Sequence, residues 1–307
     1  MLKLLVGLVG LISISAQQSA TLTMGGTRVI LSNYDGGKMS FPAPGEKEHH
    51  FQVSGPPVQI EAPEKGLTVR AKNVDVMWAD VDPKTTEFKK GRLEGDAVII
   101  VDSAVSQKAL EENAKAQSKK TPPAATETRF VQANSDLFLY AGTVKQGTVT
   151  MPGHWTFHQV VTGVQELTIN KKKVKVAYVQ TLDVDGTSGT IDLVPGKDGT
   201  LNQLSTGHIA GPVHFKMEKV ETPEDTKKPS TSTYSGVADQ VDIDLVSKPG
   251  TITASGNVNV DAVNSSYASH FSEDRFIFFV NDKLEPQGLQ FFGKPGSTTA
   301  KTKGGSK

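Results

Sequence analysis

The chain has no cysteine. That excludes a disulfide framework, a thiolate metal site, a cysteine nucleophile and a lipid-modified cysteine near the amino terminus. It also has no excess of either charge, because 33 basic and 33 acidic side chains cancel. No global field therefore draws in nucleic acid, and nucleic acid is not an expected partner. Long apolar runs are missing, with one short exception. Leu4 to Ile14 is almost purely apolar but only 11 residues long, whereas a membrane-spanning helix needs roughly twenty. Lys3 precedes this run and Ser15-Ala16 follows it. That is the three-part pattern of a secretory signal peptide, residues 1–16, with cleavage after Ala16. Export is the expectation, and a retained membrane anchor is the lesser reading.

Catalytic signatures are missing as well. There is no Gly-x-Ser-x-Gly elbow, phosphate loop or dinucleotide fingerprint. His154 and His158 share a strand face but lack the helix and the adjacent Glu of a zinc protease. Asp183-x-Asp185-Gly186 opens like a calcium loop, yet the twelfth position, which must be a bidentate Glu, is Val194. Asp80-x-Asp82-Pro83 reads as ordinary turn chemistry. Asp242 and Asp244 share a face, but it is the wet face of a ribbon. The expectation is a protein that is not an enzyme and needs no metal or cofactor.

What is present is turn and strand chemistry. There are 29 Gly and 16 Pro, with abundant Thr and Val, which favours an all-β protein with many turns. The clearest stretch is Ser235–Val260. Val241, Ile243 and Leu245 alternate with polar residues, and after Lys248-Pro249-Gly250 so do Ile252, Ala254, Val258 and Val260. Period-two alternation gives a ribbon with one apolar and one wet face. Two other stretches repeat the pattern. Gly66–Val101 carries Val69 and Ala71, then Val74, Val76 and Trp78 after one change of phase, and then Leu93. Thr187–Met217 carries Leu193, Ile209, Val213 and Phe215. Each reaches a Gly-x-small or Gly-x-Val step: Gly95-Asp96-Ala97, Gly211-Pro212-Val213 and Gly256-Asn257-Val258. Recurrence over a few tens of residues indicates a stacked β architecture.

Two stretches break the pattern. Residues 102–128 are rich in Ala, Glu and Lys, which favours a helix without an apolar face, and residues 222–233 are rich in Thr, Pro, Ser and Lys. Both read as flexible, low-complexity loop insertions. Residues 265–271 read as a short helix or an irregular connection. Residues 296–307 read as a disordered tail.

The Ser235–Val260 pattern, with its Gly256-Asn257-Val258 step, resembles the repeat of the OstA-like family, the LptA- and LptC-type lipopolysaccharide-transport domains. The resemblance covers Gly66–Val101 and Gly186–Asp261. It implies an open, V-shaped β-jellyroll of stacked hairpins over residues 20–295, with room for two stacked copies split near 129–185. It also implies a periplasmic scaffold that carries or bridges lipopolysaccharide, or a similar amphipathic lipid, towards the outer membrane. Partners would be other β-jellyroll transport components, joined by edge-strand addition. The trough would be lined by Val74, Val76, Trp78, Leu93, Leu193, Ile209, Val213, Phe215, Val241, Ile243, Leu245, Ile252, Val258 and Val260. The alternative is an exported structural or adhesive β-protein with a closed core that binds glycan or cell wall. A hydrolase on a β scaffold is a weaker third.

Overall fold

The computed structural model describes residues 19–24, 27–40, 48–82, 85–117, 126–169, 171–196, 201–265, 267–281, 286–292 and 299–302. The expected signal peptide, most of the expected tail and part of the 102–128 stretch lie outside the described residues. The protein is all-β. Its strands are β1 (Ser19–Met24), β2 (Thr27–Ser32), β3 (Gly36–Ser40), β4 (Glu48–Ala62), β5 (Leu67–Asp82), β6 (Thr85–Asp102), β7 (Glu127–Gly142), β8 (Gly147–Met151) and β9 (Trp155–Ile169). There follow β10 (Lys172–Gly186), β11 (Ser188–Pro195), β12 (Leu201–Pro223), β13 (Ser230–Asp244), β14 (Gly250–Val263), β15 (Tyr267–Val280), β16 (Pro286–Phe292) and β17 (Thr299–Thr302). A helix, α1 (Ser103–Ala116), and a 3-10 turn at Pro63–Lys65 complete the described elements.

The strands form one antiparallel ladder in chain order. β4, β5, β6 and β7 pair in succession, and so do β12 to β16. The strands that run through both limbs, β4 to β7 and β12 to β15, bend near their middles, and the ladder registers slip there. Between β6 and β7 the slip falls after Glu94, between β12 and β13 after Ala210, and between β14 and β15 after Ser255. In each case β6, β12 or β14 carries one residue more than the strand beside it, a β-bulge that turns the strand. These are the three Gly-x-small steps of the sequence. They lie within β6, β12 and β14 and bend them. Gly95 and Asp96 have φ of 82° and 49°, and Gly256 and Asn257 have φ of 72° and 47°. Glycine takes the left-handed region without cost, and Asp and Asn tolerate it better than other side chains. The two corners are built alike. Lys72 Nζ lies 2.7 Å from Asp96 Oδ2 in one, and Asn257 Nδ2 donates to Asp239 Oδ2 at 2.8 Å in the other.

The aligned bends divide the ladder into two limbs whose inward faces share one core. Val53, Val74, Phe138, Met151, Ile209, Val241, Ala254 and Phe276 come from the first limb. Val58, Ala71, Ala97, Trp155, Val213, Ala238, Val258 and Val260 come from the second. Val58, Ala97, Ala238, Val258 and Phe276 have no exposed surface at all. Full burial of a Val or Phe contributes about 1.5–3 kcal/mol, so the bend is the most strongly held part of the molecule.

The middle of the chain corrects the expected open jellyroll. β7 pairs with both β8 and β9, β8 with β11, β11 with β12, β12 with β10, and β10 with β9. These six strands close into a ring. The cause is local. Residues 152–154 and Thr187 interrupt two rungs at the bend, so β7 and β12 each meet two half-rungs along one edge.

Four other stretches refine the sequence reading, the first by bearing out its helix. Ser103–Ala116 is a regular helix, capped by the Asp102 carboxylate on the amides of Ala104 and Val105. It is tied down where Ser106 Oγ donates to the Glu64 carbonyl at 2.7 Å and Asn113 Nδ2 to Glu64 Oε1 at 2.9 Å. Residues 222–233 comprise the end of β12, a turn and the start of β13. Residues 267–271 begin β15 rather than a helix, and Thr299–Thr302 pairs with β15.

Candidate functional site

The inward faces carry two apolar rows that run across the ladder. In the first limb, Phe51, Val76, Gly91, Tyr140, Val149, Ile191, Gly207, Ile243, Ile252 and Phe278 stand directly opposite one another from β4 to β15. In the second limb the row is Ile60, Val69, Ile99, Ala133, Phe157, Val184, Phe215, Gly236, Val260 and Phe271. Each row crosses ten strands, and at a strand spacing of ~4.8 Å it is roughly 43 Å long. Burial grades across the limbs. One step nearer the bend, Val53, Val74, Phe138, Ile209, Val241, Ala254 and Phe276 are buried. In the rows themselves every residue but Val260 is only half-buried.

The inner face changes character at the far end of the second limb. Along β10 the residues after Val184 on this face are Leu182, Gln180 and Tyr178; along β12, after Phe215, they are Met217, Lys219 and Glu221. Here the Tyr178 hydroxyl donates to Glu127 Oε2 at 2.8 Å, and Gln165 Nε2 donates to Glu221 Oε1 at 2.8 Å. Lys219 Nζ lies 2.9 Å from Glu221 and 5.4 Å from the centre of the Tyr178 ring. Arg129 pairs with Glu127. At the border, burial holds the Tyr234 phenol above its ordinary range, helped by its hydrogen bond to Tyr267. The face thus runs from apolar at the bend to polar and charged at the tip.

The expected lining residues fall on this surface to different degrees. Val76, Ile243 and Ile252 lie in the first row, and Phe215 and Val260 in the second. Val74, Leu93, Ile209 and Val241 lie one step deeper, and Val213 and Val258 sit at the bend with 1% and 0% exposure. Trp78 is buried and stacked on His49, with ring centroids 5.1 Å apart. Leu193 and Leu245 are half-buried at the strand ends near the β11–β12 and β13–β14 turns. The sequence reading missed Phe51, Phe157, Val184, Phe271 and Phe278, although Phe276 and Phe278 alternate in the aromatic stretch Arg275–Val280. It also missed the polar end, where Lys219 and Glu221 continue the parity of Phe215.

The outer face is polar. His158 stands opposite Asp183 at 2.7 Å, His208 opposite Asp242 at 2.7 Å, His214 opposite Asp185 at 2.9 Å and His270 opposite Asp261 at 2.8 Å. Of the acids weighed for calcium or catalysis, Asp183, Asp185 and Asp242 are thus cross-strand partners of histidines. Asp244 instead caps a turn, accepting from Ser247 Oγ at 2.6 Å, and that bond holds its carboxyl below the usual range. No cluster of three or more metal-ligating side chains occurs among the described residues. A hollow of about 360 Å³ lies over β3 to β6, bordered by Lys38, Gln52, Asp75, Arg92 and Glu94 among others. Burial pushes the Asp75 carboxyl up, but hydrogen bonds from Gln52 and His50 outweigh it and hold it below the usual range.

None of the described helices is long and apolar enough to cross a membrane. No protein-family model, curated protein or solved structure matched the chain.

Proposed function

We propose that this chain is an exported, periplasmic lipid-carrying scaffold. It holds lipopolysaccharide, or a lipid of similar amphipathic build, between its two limbs and passes it towards the outer membrane. The observation that carries this reading is the pair of half-buried apolar rows, graded along one limb into a hydrogen-bonded polar end. An acyl chain lies along the rows, and the head group meets Arg129, Lys219 and their acidic partners. Each methylene removed from water contributes about 0.8 kcal/mol, so ten contribute on the order of 8 kcal/mol before ordering costs. In this reading the closed ring holds the limbs together in the middle, and a chain would enter by displacing the half-buried row residues of the flanking strands β4–β6 and β13–β15. At the ladder ends, β3 pairs only with β4 and β16 only with β15 among the described residues. Such edges suit strand addition by other β-jellyroll transport components.

Photo-cross-linking tests the reading. A photoreactive side chain at Ile252, on the inner face, is expected to yield adducts with added lipopolysaccharide. One at Thr253, which points outward, is not. Equal labelling at both positions, or at neither, would overturn it.

A second reading has its own observation. The hollow over β3 to β6 combines charged and amide side chains with glycine, serine and valine, a mixture that a glycan site could use. In that case the protein is an exported structural or adhesive one with a closed core.

A further inference from the structure

The β9–β10 hairpin outruns its neighbours. β7 follows β9 only as far as Gly163, opposite Glu127, and β12 follows β10 only as far as Val176, opposite Pro223, with one further bond from the Glu224 amide to the Lys175 carbonyl. Beyond these points residues 164–169 and 172–174 form a two-stranded finger with no other strand beside it among the described residues. Six residues of extended chain give it a reach of about 20 Å. In a chain of zero net charge, the finger concentrates positive charge. Lys171, Lys172, Lys173 and Lys175 are all exposed at or beside its tip, and Glu166, paired with Lys173 at 2.7 Å, is the opposing acid. It also exposes aliphatic surface on both faces: Leu167, 37% exposed, stands opposite half-buried Val174 on one face, and Val164, 56% exposed, lies on the other face nearer the base.

We infer that this finger docks on an anionic phospholipid surface. Lysines beside exposed aliphatic side chains suit a bilayer interface, where the ammonium groups meet lipid phosphates and the aliphatic groups enter the acyl boundary. An acidic protein surface would satisfy the charge but leave the Leu167–Val174 pair without a use. The finger stands apart from the inner rows, so membrane docking does not depend on lipid being carried between the limbs.

Co-sedimentation of the full chain with vesicles tests this. The protein is expected to pellet with phosphatidylglycerol-rich vesicles, much less with pure phosphatidylcholine, and less as salt is raised. The triple variant K171Q/K172Q/K173Q is expected to bind roughly a hundredfold more weakly, at about fivefold per lysine. Leu167→Ser combined with Val174→Ser is expected to weaken binding at unchanged charge. Both variants should melt like the wild type, because the finger lies outside the core. Ile243→Asp, which alters the inner row, is expected to keep vesicle binding. Docking on the membrane is overturned if the wild type ignores phosphatidylglycerol vesicles, even if it binds polyglutamate, or if the triple variant binds as tightly as the wild type.

Discussion

Val258→Asp is expected to leave no folded protein. Val258 has 0% exposure and follows the Gly256-Asn257 corner, where β14 passes from one limb to the other. A carboxylate there is cut off from water, and the described ion pairs offer it no buried cation. The effective penalty of an unpaired buried charge is several kcal/mol. A domain's whole stability is about 5–15 kcal/mol, and the substitution also removes a packed Val from the best-held line of the core. Far-UV circular dichroism and gel filtration read the result. A variant that melts cooperatively near the wild-type midpoint would mean that the bend is not the anchor described above.

Ile243→Asp is expected to behave differently. Ile243 sits in the first apolar row, half-buried, directly opposite Ile252 and Gly207. Its carboxylate can keep contact with water, so the expected loss of stability is about 1–3 kcal/mol and the fold survives. Lipid uptake should fall far more, because a charge then interrupts the surface along which the acyl chain lies. A displacement assay with a fluorescent acyl probe, run beside a urea melt, separates the two effects. If Ile243→Asp unfolds as completely as Val258→Asp, the rows are a closed core, and the glycan-binding reading takes precedence.

The strands were legible because alternation at period two survives in nearly every rung. The bends were half-legible. In β5 the change of phase between Ala71 and Val74 is the bend itself, visible as a parity shift. In β6 and β14 the corner spans two residues, so Leu93 and Ala97, or Ala254 and Val258, keep the same parity and the strand reads as unbroken. There the signal is the Gly-Asp or Gly-Asn pair alone. Ring closure was not legible, since the pairings of β7 with β9, of β8 with β11 and of β10 with β12 join strands that do not follow one another in the chain. The inner face of the second limb was read only as far as Phe215, because Lys219 and Glu221 resemble solvent-facing residues. What places them inward is their opposition to Gln180 and Tyr178 across the ladder.

The most direct measurement is mass spectrometry of the organic extract from protein purified without detergent. Expected is an acylated, amphipathic lipid in near-equal amount to the protein, lost from Ile243→Asp and retained in the triple lysine variant of the finger. A wild-type protein that yields no lipid, and takes up none when lipopolysaccharide is added, would contradict the proposal that the two rows hold an acyl chain.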